Sequence, residues 1–496
     1  MMRTKLKTLI IGAGPAGLTA GLELSRRGEN PIILESTSSI GGISRTELVD
    51  GWRFDLGGHR FFTKNERVRE FWHSILSERE FIATKRVSRI YFQGKFFDYP
   101  LKPLNALRNL GFTSTLRAIF SYVYVRLRPI KDQSNFETWV ASRFGWYLYR
   151  TFFKTYTEKV WGIRADQIQS EWAVQRIKNL SLTSALLSAF FPKKFNKGGF
   201  TTLIDEFYYP IYGPGMMWEK CAQLISEAGG LVRFNEKIQS ISRIRDRNEE
   251  DKLRVICQNS GDFNCDRIIT SIALKDLISI IEPAPPEEVR KAASKLKYRA
   301  FITVAIPVTT AIAFPDNWIY IHSPDVKVGR VQNYGAWSPY LVKDGASCLG
   351  LEYFVEEDDD LWKKKDEELV QLAIAELNSL KLIHSSNLTQ GFVVRVPKAY
   401  PVYDTAYKEC VYTIREYLLR DWPEIQTVGR NGLHRYNNQD HSMLTAMYAV
   451  DNLYDSEKKD VWSVNLEDEY HEESSSSRER LSPIYPSQDD IETSRK

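Results

Sequence analysis

Several things that would decide this protein's class at once are scarce in its 496 residues. The five cysteines, Cys221, Cys257, Cys265, Cys348 and Cys410, are scattered and odd in number, and none has metal-ligand spacing. That argues against a disulfide framework and a metal site, and it suits a reducing, cytoplasmic compartment. Nowhere does an apolar run reach the roughly 18 residues that a membrane-spanning helix needs. The basic-then-apolar start is cut short by glycines and has no cleavage site of its own, so it reads as a strand rather than a signal peptide. A formal net charge of +4 is too small for a general nucleic-acid binder. No Ser-His-Asp or Cys-His arrangement calls for a protein nucleophile. Acids are also scarce over residues 101–200, where Lys and Arg gather. An anionic ligand, peripheral contact with a membrane surface and a merely solvated helical face all fit that imbalance.

What is present is organised around residues 8–35. Thr8-Leu9-Ile10-Ile11 is a short apolar run, followed at once by Gly12-Ala13-Gly14-Pro15-Ala16-Gly17 and a helical pattern to Gly28. A second run, Pro31-Ile32-Ile33-Leu34, ends in Glu35. The order is strand, glycine turn, helix, strand, acid, which is that of a Rossmann-type dinucleotide site. Gly12 makes the turn, Gly14 admits a pyrophosphate, and Gly17 lets the helix lie close to the strand. The helix start offers N–H groups and a partial positive charge to the pyrophosphate. Glu35 is placed to accept from a ribose.

The length implies two or three domains. A second glycine loop, Ile40-Gly41-Gly42-Ile43-Ser44, precedes Gly57-Gly58-His59, where the backbone lets something flat approach. Residues 85–100 read as a hairpin turning at Gly94-Lys95. Residues 101–199 read as a helical domain, with Phe152–Trp161 and Glu171–Leu180 as helices. Gly198–Trp218 reads as a loop and helix start, with the helix stopped by Gly229-Gly230. Leu231–Phe234, including Val232, Ile238–Ile244, Leu253–Gln258 and Ile268–Ser271 read as strands returning to the first sheet. A short helix follows Pro283–Pro286. Strands are expected at Phe301–Pro307, Trp318–His322, Arg330–Tyr334, Cys348–Phe354 and Phe392–Val396. Helices are expected from Asp358 to Leu377 and from Leu444 to Leu453. From about Glu472 the chain is Ser-rich and charged, as in a disordered tail.

Gly-x-Gly-Pro-x-Gly, then Gly41-Gly42, then a late Gly429-Arg430 loop, resemble the FAD flavoproteins of the amine oxidase and protoporphyrinogen oxidase group. Within that group the sequence is similar to the UDP-galactopyranose mutases over about residues 8–455. Gly57-Gly58-His59 resembles their flavin-side loop, and Arg86-Val87-Ser88 and Tyr99-Pro100 two further segments. Lys159-Val160-Trp161 resembles the segment whose Trp helps form the uridine pocket. Arg176 and Arg330 fall where the family places its diphosphate arginines. Tyr209-Pro210 to Trp218, Trp318-Ile319-Tyr320 and Tyr400-Pro401 also match. Asn438-Gln439-Asp440-His441-Ser442, with Arg430 and Tyr436 upstream, resembles the family's flavin-side run. Trp337 and Thr157 depart from it, standing where the mutases carry Tyr and Asn.

The resemblance implies an α/β fold with FAD as cofactor. The Rossmann-type FAD-binding domain would take residues 1–85, 200–282 and 425–470, and the inserted helical domain 101–199. An antiparallel β-sheet substrate domain would take 86–100 and 283–424, leaving 471–496 as the tail. FAD would meet Gly12, Gly14, Gly17, Glu35, Gly42, Ser44, Gly57, Gly58, Val232, Gly429, Asn438 and Gln439. The substrate would meet Trp161, Arg176, Tyr320, Arg330, Tyr400 and Tyr436, with His59, Arg176 and Arg330 catalytic. The implied reaction is pyranose/furanose isomerisation of a nucleotide sugar through N5 of reduced flavin, with NAD(P)H or a similar electron donor. An oxidoreductase of the same fold, oxidising or desaturating an amine, porphyrinogen or polyene, stays open. So does a non-catalytic flavin-binding protein. Oligomeric state is not legible.

Overall fold

The computed structural model describes residues 7–99, 103–170, 206–245, 251–309, 312, 314–383, 388 and 390–465. All four residues of Thr8–Ile11 are buried, which suits a central parallel strand covered on both faces. It pairs in parallel with Ile32–Leu34 and with Arg267–Thr270. Leu231–Arg233 and Ile425–Thr427 extend the sheet to five parallel strands. Of the expected returning segments, Leu231–Phe234 and Ile268–Ser271 thus reach the first sheet. Ile238–Arg245, Asp251–Cys257 and Gly261–Cys265 do not; they form a separate four-stranded sheet with Ile281–Glu282. Hydrophobic pattern marks a strand but not the sheet it joins.

The helix Pro15–Arg26 follows the first strand, with Pro15 in its first turn and no side-chain cap at Gly14. Its opening N–H groups are therefore left for something else. The helices Gly215–Glu227 and Gln439–Tyr454 pack against it. Leu18, Leu22, Ile225, Met443, Met447 and Val450 belong to the core they share with the sheet. At Gly17 the helix and strand meet so closely that a Cβ would lie 1.8 Å from the carbonyl oxygen of Gly12.

The second large sheet has seven strands, in the order Phe392–Pro401, Tyr298–Val308, Ser347–Val355, Arg330–Asn333, Trp318–Ile321, Ser88–Phe92 and Lys95–Asp98. It is antiparallel except where Trp318–Ile321 runs beside Ser88–Phe92. The hairpin turns at Gln93-Gly94, both at positive φ, one residue before the expected turn. That geometry matches the twist of the flanking strands.

The remaining differences are local. Residues 206–210 form a strand paired with Phe81–Lys85 rather than a loop. Helices occupy Pro103–Leu110, Phe112–Leu127, Phe136–Phe144 and Thr155–Trp161, the last entered through a π-helical turn at Tyr149–Lys154. The acidic helix breaks into Asp360–Lys363 and Asp366–Ser379. The last long helix starts at Gln439, earlier than expected, because Asn438 caps it: its N–H donates to Nδ1 of His441 at 3.2 Å. The helix expected at Glu171–Leu180, Arg176 and the tail lie outside the described residues.

Because the atom that a Gly17 side chain would strike is backbone, it cannot swing aside. Gly17→Val should destabilise the protein by about 1–3 kcal/mol and lower its content of the flavin that the sequence resemblance implies. Thermal unfolding and visible absorbance of the purified protein measure both.

Candidate functional site

The glycine turn and the second glycine loop meet. A Cβ at Gly42 would lie 3.3 Å from Cα of Gly14, so the two backbones face each other across a narrow cradle at the helix start. Glu35 closes one end of it. One carboxylate oxygen accepts from the Ala13 N–H at 2.8 Å and the other from the Thr37 N–H at 2.9 Å. Val232 lies beside Glu35's strand, opposite Ile33. Gly429 approaches the helix start from the other side, where a Cβ would come 3.1 Å from Ala16.

From this cradle the path continues to a cleft. Ser44 is buried, and its hydroxyl lies 3.4 Å from Nδ1 of His59. Nε2 of His59 donates to the Leu56 carbonyl at 2.9 Å. The Leu56 carbonyl, an acceptor, calls for a proton on Nε2 and by itself favours the charged ring. Burial, then the nearby Arg430 guanidinium, lower its pKa from 6.5 to about 4. Beyond His59 opens a cleft of about 150 Å³. Of the residues expected at the site, Gly57, Gly58, His59, Tyr320, Arg330, Tyr400, Tyr436, Asn438 and Gln439 line it together. They come from the seven-stranded sheet, the capped helix and the loops between.

The charges lining the cleft are Arg60, Arg330, Arg430 and Asp440. Arg430 donates to the carbonyls of Asn437 and Ala399 at 2.9 and 3.1 Å. Its guanidinium also lies 5.2 and 5.0 Å from the rings of Tyr400 and Tyr436. Arg60 sits 5.2 Å from the Trp318 ring. Arg330 is less available than its position suggests. It faces the fully buried Glu352 directly across the sheet, at 2.6 Å, and also donates to the Tyr400 hydroxyl at 3.2 Å. Gln332 donates to the other oxygen of Glu352. Burial lowers the Arg330 pKa and Glu352 raises it, for a net rise well above the usual value.

Other expected residues lie outside the cleft wall. Trp161 is buried behind Tyr436, with ring centroids 6.0 Å apart. Arg176 lies outside the described residues, so the expected convergence of two arginines rests on Arg330 alone here. Trp337, at the departing position, is buried beneath the loop: it stacks on Trp318 at 5.3 Å, and a Cβ at Gly58 would come 3.1 Å from it. Sequence reasoning missed Glu352, Gln332, Arg60, Phe62 and Trp72. Only strand register brings Glu352 opposite Arg330, and no local pattern carries register. Arg60 was within reach, since it directly follows Gly57-Gly58-His59.

The residues present fit a flavin. Both polar atoms of the Gln439 side-chain amide are buried at the cleft with no partner in the protein. Such a group costs about 1–3 kcal/mol unless a ligand satisfies it. Among the described residues no cluster of His, Cys, Asp and Glu could hold a metal ion.

The family model of flavin-containing amine oxidoreductases matches residues 15–434. The chain belongs to that family, and it is an FAD-dependent flavoenzyme. Over 206 residues it is 27% identical to a probable UDP-galactopyranose mutase of Klebsiella pneumoniae, covering 40% of this chain and 51% of that protein. It is 28% identical over 123 residues to an L-amino-acid oxidase of Sistrurus catenatus edwardsii, covering 21% of this chain and 23% of that one. These matches thus span about half the length of the curated relatives or less. In fold it is similar to reduced UDP-galactopyranose mutase, with TM-score 0.78, 21% identity, and 91% of this chain and 94% of that one covered. Putrescine oxidase bound to putrescine gives TM-score 0.59 at 13% identity, covering 90% and 99%.

Burial holds three histidines neutral: His59 and His434 at about 4 and His322 at about 3. Their folded pKa lies below the unfolded value near 6.5, so the unfolded chain takes up more protons between those limits. Their contribution to stability is full above pH about 6.5 and is lost as pH falls towards about 4. Histidine NMR signals, assigned by substitution, should stay in the neutral form for these three rings from pH 8 to 5.

Proposed function

We propose that this protein interconverts the pyranose and furanose forms of a nucleotide sugar, in the manner of a UDP-galactopyranose mutase. One observation carries the reading. The cleft beside the Gly57–His59 loop is lined by three guanidiniums and one carboxylate, an environment for an anion rather than an amine cation. A diphosphate is such an anion, and arginine holds it through forked, charge-assisted hydrogen bonds.

FAD would lie with its pyrophosphate on the Gly12–Gly17 turn and a ribose at Glu35. Gly42, Ser44 and Val232 would follow, with Gly57, Gly58, Gly429, Asn438 and Gln439 around the flavin. When reduced, it supplies at N5 a nucleophile for the anomeric carbon, with no net redox change. The rest falls to the chain. Arg330, with the Tyr400 hydroxyl beside it, binds the diphosphate and stabilises charge developing on it as a leaving group. Arg176 is its partner in this reading. Tyr320 and Tyr436 offer ring surface to the nucleotide, and Trp161 holds Tyr436 from behind. His59, neutral and donating to a backbone carbonyl, adds no further positive charge next to the flavin. NAD(P)H is the proposed electron donor.

A second reading is an oxidase or desaturase of the same family. Its support is the family itself and the aromatic lining of Phe62, Trp72, Trp318, Tyr320, Tyr400 and Tyr436.

Dithionite-reduced protein given UDP-galactopyranose should yield the furanose isomer. Arg330→Ala should weaken UDP binding by roughly 10- to 100-fold, the worth of a hydrogen bond to a charged group. Absence of furanose together with an unchanged flavin spectrum on adding UDP rejects the mutase. Rapid oxygen or quinone consumption with an amine, porphyrinogen or polyene would establish the second reading instead.

A further inference from the structure

The helix Phe112–Leu127 is turned inside out relative to an ordinary surface helix. Ala118, Tyr122 and Val125 face the protein. The opposite face, where polar residues are expected, carries Phe112, Leu116, Ile119, Phe120, Val123, Tyr124 and Leu127. All seven are exposed, Phe112 and Leu127 at 78% and Phe120 at 70%. At 100° per residue they form one continuous stripe. Exposed arginines border it on both sides. Arg117 lies seven residues before Tyr124, and Arg126 seven after Ile119, spacings that set each beside its partner on the helix surface. The sequence from 99 to 131 holds six basic residues and no acid.

We propose that this face docks the protein on an anionic lipid surface. A helix with a wide apolar stripe, aromatic residues on it and cations along its edges lies in the plane of a membrane interface. Its apolar side enters the acyl boundary, and its arginines meet the lipid phosphates. At 16 residues the helix is about 24 Å long and lies on the surface rather than crossing it. Among the described residues no helix is long and apolar enough to span. A second copy of the chain suits the face less well. A two-fold contact between these helices would bring the same arginine borders together, like charge facing like. Lipid phosphate supplies the missing counter-charge.

The test uses the full flavin-loaded chain in co-sedimentation with vesicles. With about 40% phosphatidylglycerol in phosphatidylcholine the protein should pellet, and it should not with phosphatidylcholine alone. Raised salt should weaken the binding. Phe120→Glu with Leu127→Glu should lower the bound fraction about 10-fold or more. Arg117→Glu with Arg128→Glu, Arg128 being the exposed arginine that directly follows the helix, should lower it as well. All four positions are exposed and none lines the cleft, so flavin absorbance should stay unchanged in both variants. The proposal is overturned by failure to pellet with anionic vesicles, or by equal binding of wild type and both variants. It is also overturned if sedimentation analysis finds a dimer that the Phe120→Glu and Leu127→Glu changes split while vesicle binding is absent. None of these readouts depends on the sugar substrate.

Discussion

The site depends on the contact between the helix Pro15–Arg26 and the strand Thr8–Ile11. A hydrogen atom at Gly17 is all that fits against the Gly12 carbonyl. That closeness sets the helix start directly over the turn, where its free N–H groups and partial positive charge point at one spot. The cradle between Gly14 and Gly42, the Glu35 carboxylate and the approach of Gly429 are all fixed relative to it. Ser44 then links the cradle to His59, and through His59 to the cleft. A shift of the helix by one side chain's width would separate these parts.

The electrostatics of the cleft follow from burial as much as from residue type. His59 is a ring that an exposed position would let titrate near neutrality, yet desolvation and Arg430 keep it neutral. Arg330 keeps its charge, but part of that charge is answered by Glu352 beneath it. Arg60 and Arg430 are held against aromatic rings and carbonyls. The field is therefore cationic without being crowded by unopposed charge.

Much of this could be read from the residues in order. The turn at Gly12–Gly17 and the Gly57–His59 loop are local patterns with a mechanism attached, and the structure places them along one path. Strand positions were legible because Tyr298–Val308 and Ser347–Val355 are mostly apolar and rich in β-branched or aromatic residues. Partnership was not legible. Nothing near Glu352 announces that it faces Arg330, nor that Ile238–Cys265 leaves the first sheet for its own. The same limit hid the stack of Trp337 on Trp318, which turns a departure from the mutase pattern into a support under the Gly57–His59 loop. A basic segment was visible in composition. That its helix shows an apolar face to solvent was not, because periodicity alone does not say which side is covered.

The Arg330–Glu352 pair constrains how this cleft can change over generations. Replacing Glu352 alone strands a cation on an interior strand in the wall of the cleft. Replacing Arg330 alone strands an anion deeper still, at a cost of about 3–5 kcal/mol for a broken buried pair. The two positions can drift only together, or in the order that a new counter-ion allows. Descendants that lose the arginine should therefore show both sites altered at once, with Gln332 relieved of its bond to the carboxylate.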